Sequence, residues 1–182
     1  MRRIQEAALD LFDERGYDAV TIEQIAEAAE VSPSSVYRYF GTKEHLVLHD
    51  ELDVQLLDVV QRELALHPPV DAVRRAIADV MTQFFGRDEE LARRKIRYWL
   101  AEPAVQRAAA LMTEQFAAAI ADALAEATGR PSGDLDTTVV ATTLVWAMTA
   151  AVRHWHATGY AQPLEDELQQ ALALLENGLR LD

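Results

Sequence analysis

Residues 21–43 read TIEQIAEAAEVSPSSVYRYFGTK, and two helix starts separated by a short turn stand in plain view there. Thr21 offers an N-cap hydroxyl, and Gln24 follows three residues on, the spacing of a capping box. Ile22, Ile25, Ala26 and Ala29 recur on one side of the helix that begins there. Val31 is the apolar plug of the turn. Ser32 is a second N-cap, and Pro33 occupies the first helical position, where its missing N–H costs nothing. The next helix is predicted over 33–39, with Val36, Tyr39 and Phe40 as its apolar side and Gly41 as its stop.

Two helices joined this tightly suit a helix-turn-helix, in which the first braces the second and the second exposes short polar side chains at its N-terminal end. Ser34 and Ser35 stand where hydroxyls reach base edges or phosphates. Tyr37 lies one step on, and Arg38 can pair with a phosphate or a guanine edge. Free N–H groups at the helix starts favour anions, and Lys43 adds a positive charge beside them. Taken alone, the pattern equally describes a small helical subdomain with ordinary caps.

Composition pulls the other way. The 182 residues carry a net charge of −13, which spread evenly would repel DNA, so any binding must come from a local surface. Cysteine is absent, which excludes disulfides and thiolate metal sites. No apolar run is read as reaching the ~18 residues of a membrane span. The start, MRRIQEAALDLF, mixes two arginines with acids, unlike a signal peptide. A cytoplasmic protein without a membrane partner is expected.

Nearly everything else reads helical, because Ala, Leu, Glu, Gln and Arg dominate and alternating β-branched runs are scarce. Ile4, Ala8, Leu11 and Phe12 mark an amphipathic helix over 2–15, closed by Gly16. Beyond 43, helices are predicted over 43–65, 70–85 (closed by Gly86), 88–100, 104–128, 135–158 (closed by Gly159) and 164–180. The Pro68-Pro69 pair, Pro103 and Gly-rich turns separate them. The expected fold is all-α: a three-helix N-terminal domain, residues 1–42, holding the helix-turn-helix, and a six-helix bundle, residues 43–182.

Residues 2–46 resemble the TetR family of bacterial transcriptional regulators. The resemblance rests on Ala8 to Phe12 as A-x-x-L-F, Gly16-Tyr17, Thr21-Ile22, Ile25-Ala26, Val31-Ser32, Tyr37-x-Tyr39-Phe40 and Thr42-Lys43-Glu44. It implies DNA contacts from Thr21, Ser32, Ser34, Ser35, Tyr37, Arg38, Tyr39 and Lys43, with Thr21 and Lys43 on phosphate. Two positions depart from the family pattern. Only Arg2 and Arg3 stand where a basic arm is common, and Pro33 replaces a long polar residue, which shifts weight to Ser34, Ser35, Arg38 and DNA shape.

Residues 43–182 carry no phosphate loop, nucleophile elbow or zinc-protease motif, so no enzyme is expected. No cofactor is implied. His45 and His49 are spaced i, i+4, as zinc ligands can be, but solvated residues at the start of a helix account for them without a metal, and none is expected. Met81, Phe84, Phe85, Tyr98, Trp99, Met112, Phe116, Trp146 and Met148 supply either a plain core or an apolar pocket, and His154 could lie near it. The resemblance implies a small-molecule effector there, and the segment 91–124 hints at an acyl-CoA-like ligand, with Arg94, Arg97 and Arg153 as candidate partners for an anionic head group. Ala147 and Ala151, with Leu168, Leu172, Leu175 and Leu179, either cover their own core or, as the resemblance implies, pair two copies into a homodimer on a near-palindromic operator. Repression relieved by the effector is the expected function. An activator, a ligand-independent regulator or, remotely, a helical metal-binding protein or enzyme are the alternatives.

Overall fold

Capping decides where the first helices begin and end. In the computed structural model, which describes residues 1–49 and 51–180 (side chains at 51–56, 70, 77–78 and 80–88 aside), all regular structure is helical. The elements are α1 (Arg2–Arg15), α2 (Ile22–Ala28), α3 (Pro33–Phe40), α4 (Lys43–Leu48), α5 (Glu51–Leu64), α6 (Pro69–Ala101), α7 (Pro103–Thr128), α8 (Leu135–Ala157) and α9 (Leu164–Glu176). The Thr21 hydroxyl accepts from the Gln24 N–H while the Gln24 side chain accepts from the Thr21 N–H, so the predicted capping box forms. Ser32 caps α3, with Pro33 at its first position. Proline also opens α6 and α7.

The chain forms two compact units, Met1–Asp50 with Asp88–Ala110, and Glu51–Arg87 with Leu111–Asp182. The first therefore takes in more than residues 1–42. Its core gathers Leu9 and Phe12 of α1, Ile25 of α2, Val36 and Phe40 of α3 and Leu46 of α4 around Tyr98 of α6 and Val105 of α7. Phe12, Tyr17 and Tyr98 meet as tilted and edge-on rings, with Phe12 4.9 Å from Tyr17 and 5.4 Å from Tyr98 between centroids.

In the second unit α8 packs along α9. Trp155 is fully buried, stacks edge-on with Tyr160 and donates its indole N–H to Gln162 O at 2.6 Å. α7 and α8 hold windows of mean hydropathy 1.2 and 1.4, long and apolar enough by length and composition to cross a membrane. Neither helix is an uninterrupted apolar run, because threonines in α8 and Thr113, Glu114, Gln115 and Asp122 in α7 punctuate the alanines, valines and leucines. Both helices bury a face inside the unit, at Ile120 and Leu124 on α7 and at Leu144 and Trp155 on α8.

Several helix limits differ from expectation. The helix expected over 43–65 is two, because His49 turns extended (ψ 124). Its carbonyl accepts from Gln5 at 2.8 Å and Lys95 at 3.0 Å, and Leu46 O accepts from Gln5, so side chains satisfy the end of α4. The helices expected over 70–85 and 88–100 are one. Gly86 costs an α-helix only about 1 kcal/mol, and without a proline the strong helix formers around it carry the helix through. α9 stops at Glu176, short of 180. Gly178, at φ 71, lets its own N–H and that of Leu179 turn back to Leu175 O and Leu174 O, a Schellman cap. Leu179 therefore leaves the apolar stripe and is exposed.

Candidate nucleic-acid interface

The turn between α2 and α3 is closed by a Schellman cap without glycine. The Val31 N–H bonds Ala26 O at 2.9 Å, the Glu30 N–H bonds Glu27 O at 3.0 Å, and Glu30 itself takes φ 53. Val31 is thereby turned back onto the core beside Ala26 and Ala29, the plug expected of it. The left-handed position was invisible in sequence, since glutamate is not the residue that usually fills it. Arg3 forms an ion pair with Glu30, so one of the two N-terminal arginines is tied to this turn. Arg2 is paired with Glu6.

α3 presents the expected surface. Ser32, Ser34, Tyr37, Arg38 and Tyr39 are exposed, with Tyr37 at 49% and Tyr39 at 48%, and Ser35 is half-buried. The three serines form a hydroxyl cluster: Ser32 Oγ shares hydrogen bonds of 2.9 Å with both Ser34 Oγ and Ser35 Oγ, and accepts from the Ser35 N–H at 3.2 Å. The Arg38 guanidinium lies 4.8 Å over the Tyr39 ring and donates to its hydroxyl at 3.3 Å. Tyr39 therefore stands out from the core and steadies the arginine. Thr21 is exposed, and because its oxygen accepts within the capping box, its hydroxyl proton is left to point outward.

Lys43 is the surprise of the site. It is half-buried, and its ammonium donates to Tyr17 O at 2.8 Å and Val20 O at 3.1 Å while lying 4.2 Å over the Tyr17 ring. Beside it, burial pushes the Glu44 carboxyl upward, but its own backbone N–H, the Thr42 and Tyr17 hydroxyls and the Lys43 charge outweigh that and lower its pKa.

Behind this surface, α6 grips α1 chiefly through one carboxylate, that of Asp13, with Asp10 beside it. Asp13 accepts from the Tyr98 hydroxyl at 2.6 Å and from Arg94 at 2.8 and 3.1 Å, and pairs with Arg97; Arg94 also reaches Asp10 at 2.7 Å. Burial works against the Asp13 charge, yet the tyrosine hydroxyl and the two guanidiniums prevail and lower its pKa. The same burial, with Asp13 adjacent, pushes the Tyr98 hydroxyl up to about 12. Arg94 and Arg97 are thus committed to α1 and not poised for an anionic effector. Tyr98 is part of the core of the first unit, and Trp99 packs against it. Asp13 itself went unnoticed in sequence, because nothing in the spacing 13 to 94 reveals the meeting.

The other expected sites fall as follows. Met81, Phe84 and Phe85 lie outside the described side chains. Met112, Phe116 and Met148 are half-buried, and Trp146 is exposed. His154 is taken up by α9, its Nδ1 lying 2.8 Å from the buried Glu167 carboxylate. A surface groove of about 610 Å³ lies instead against α9, lined by Arg74, Asp166, Gln169, Gln170, Ala173 and Glu176 among others. His45 donates from Nδ1 to Phe40 O at 2.9 Å, serving the end of α3. Among the described residues no three His, Asp or Glu side chains gather as metal ligands do. Leu168, Leu172 and Ala151, expected at a dimer interface, are buried within their own chain, because α9 lays that stripe onto α8. Ala147 and Leu175 are half-buried. The apolar side chains left outside on these helices are Leu135, Val139, Trp146 and Leu174.

Comparison with known proteins accords with this geometry. Residues 4–49 match the family described as bacterial regulatory proteins, tetR family, and residues 67–180 match the MftR C-terminal domain. The HTH-type transcriptional regulator TcmR of Streptomyces glaucescens is 37% identical over 86 residues, 46% of this chain and 37% of that one. MftR of Mycobacterium tuberculosis is 28% identical over 158 residues, 84% of this chain and 77% of that one. The match thus spans little more than a third of TcmR. Among solved structures, Thermus thermophilus FadR, a TetR-family transcriptional repressor in complex with lauroyl-CoA, is 26% identical, with a TM-score of 0.58, covering 100% of this chain and 95% of that one. SmeT, the repressor of the Stenotrophomonas maltophilia multidrug efflux pump SmeDEF, shares the fold at 18% identity and a TM-score of 0.63, covering 97% of this chain and 88% of that one. The capped helix-turn-helix of the first unit and the MftR-type helices that follow it make this chain a member of the TetR family.

Proposed function

We propose that the chain is a cytoplasmic transcriptional repressor that binds a near-palindromic operator as a homodimer and leaves it when a small apolar or amphipathic effector binds. Residues 1–42 would be the DNA-reading domain and 43–182 the effector and dimerisation domain. The observation that carries the reading is the exposed face of α3, where Ser34, Tyr37 and Arg38 stand free of the core above a firmly capped turn. Direct readout falls to Arg38 and the serines, while Thr21, Tyr37 and Tyr39 take phosphates. Selection from random-sequence duplexes tests this. The chain should enrich an inverted repeat whose half-sites lie about 34–36 Å apart, or a multiple of that. Enrichment of no sequence contradicts it.

Homodimerisation is supported by Leu135, Val139 and Trp146, which fall at i, i+4 and i+11 on one face of α8 and are exposed, as is Leu174 of α9. Light scattering of the wild type should give twice the chain mass at micromolar concentration, and Trp146→Glu should give the monomer. A monomeric wild type removes the dimer. The effector is proposed by likeness. The FadR relative is bound to lauroyl-CoA, and half-buried Met112, Phe116 and Met148 offer apolar surface in the second unit. Long-chain acyl-CoA should raise the melting temperature and weaken operator binding; stabilisation by another apolar class alone would replace it. Only about 1–3 kcal/mol of coupling is required, and α6 and α7, which each contribute residues to both units, are the elements to carry it.

A further inference from the structure

We infer that Lys43 is a positioning residue for DNA binding, one that locks the Val20–Thr21 peptide and so sets where the Thr21 hydroxyl meets the phosphate backbone; this rests on the DNA-binding reading above. A lysine at the opening of a helix beside a DNA-reading surface suggests a point charge for phosphate. The geometry assigns it other work. An ammonium has three protons, and Lys43 commits one to Tyr17 O at 2.8 Å and one to Val20 O at 3.1 Å, with the Tyr17 ring 4.2 Å beneath it. The neighbouring Glu44 carboxylate, held ionised, offsets part of its charge.

What Lys43 holds matters for function. Val20 O and the Thr21 N–H are the two ends of one peptide unit. Lys43 grips the oxygen, and the Gln24 side chain accepts from the N–H at 3.0 Å. A peptide plane fixed at both ends leaves Thr21 little freedom. Its hydroxyl oxygen accepts from the Gln24 N–H at 3.3 Å, so the proton is aimed by elimination at an external acceptor. Pre-organisation of this kind raises affinity by removing the cost of ordering a loop at the moment of binding. Without Lys43, the loop from Gly16 to Thr21 loses the bond to Val20 O, and the Thr21 hydroxyl no longer starts in place.

The two roles differ in salt dependence and in coupling. Thr21→Ala, Lys43→Met and the double variant are titrated against a duplex that the wild type has enriched from random-sequence DNA, between about 50 and 200 mM salt. A positioning role predicts that Lys43→Met weakens binding with the slope of log K against log salt unchanged. It further predicts that Thr21→Ala, costing roughly tenfold in the wild-type chain as a lost hydrogen bond to a charged group does, costs under about twofold once Lys43 is gone. A slope shallower by about 0.9, the loss of one phosphate contact, or additive costs at the two positions, overturns the inference and leaves the DNA-binding reading standing. A wild type that enriches no duplex sinks both. Should Lys43→Met lose its helical circular dichroism, Lys43→Gln, which keeps a donor for one carbonyl, carries the same comparison.

Discussion

Tyr98 shows how one hydroxyl serves both a core and a charge. Its ring is buried against Phe12 and Tyr17, and its O–H meets Asp13 at 2.6 Å. Tyr98→Phe keeps the packing and removes the donor, so it should cost about 1.5–3 kcal/mol, the range for a hydrogen bond to a charged group. A urea melt of the variant checks this, and an unchanged midpoint would place the hydroxyl in water. Glu30 offers the opposite case. It holds φ 53 in the cap between α2 and α3, where a side chain costs about 1–2 kcal/mol. Its ion pair with Arg3 is exposed, and such pairs return under about 1 kcal/mol. Glu30→Gly should therefore leave stability equal or raise it slightly in a thermal melt, while Glu30→Val should lower it.

At the scale of elements, the contact between α1 and α6 depends on the ionisation of Asp13. Its folded pKa lies below the ordinary value, so the stability it supplies is present above about pH 4 and lost as pH falls through the lowered value. The gap in melting temperature between wild type and Asp13→Asn, open at pH 7, should close below about pH 4. A gap that stays constant with pH would mean the charge is not what binds α6 to α1. This contact marks the limit of what the chain could be read for. The caps at Thr21 and Ser32 and the stops at Gly41 and Gly159 are local, written within four residues, and were legible. The break at His49 depends on Gln5 and Lys95, far away in sequence, and the continuity of α6 through Gly86 depends on a helix absorbing one weak position. Neither leaves a local mark. The same distinction explains Leu168 and Leu172: their spacing says that a face is buried, but not whether the chain or a second copy covers it.

For the whole molecule, the puzzle of an acidic chain on an acidic polymer comes down to where its few cations go. Arg2, Arg3, Arg94 and Arg97 each pair with a carboxylate, and Lys43 holds backbone carbonyls. Of the two cations assigned to the DNA face, Lys43 is held by backbone carbonyls and Arg38 lies exposed against a neighbouring tyrosine, so sequence discrimination should concentrate on Arg38. The most direct measurement is an equilibrium titration of wild type and Arg38→Ala, at one salt concentration, against the selected duplex and a scrambled one. The wild type should prefer the selected duplex by roughly a thousandfold or more. Arg38→Ala should lose about 1–3 kcal/mol of that preference, roughly 5- to 150-fold, while its grip on the scrambled duplex changes far less. Equal preference by the two proteins, or no preference by the wild type, would contradict DNA reading by this face of α3.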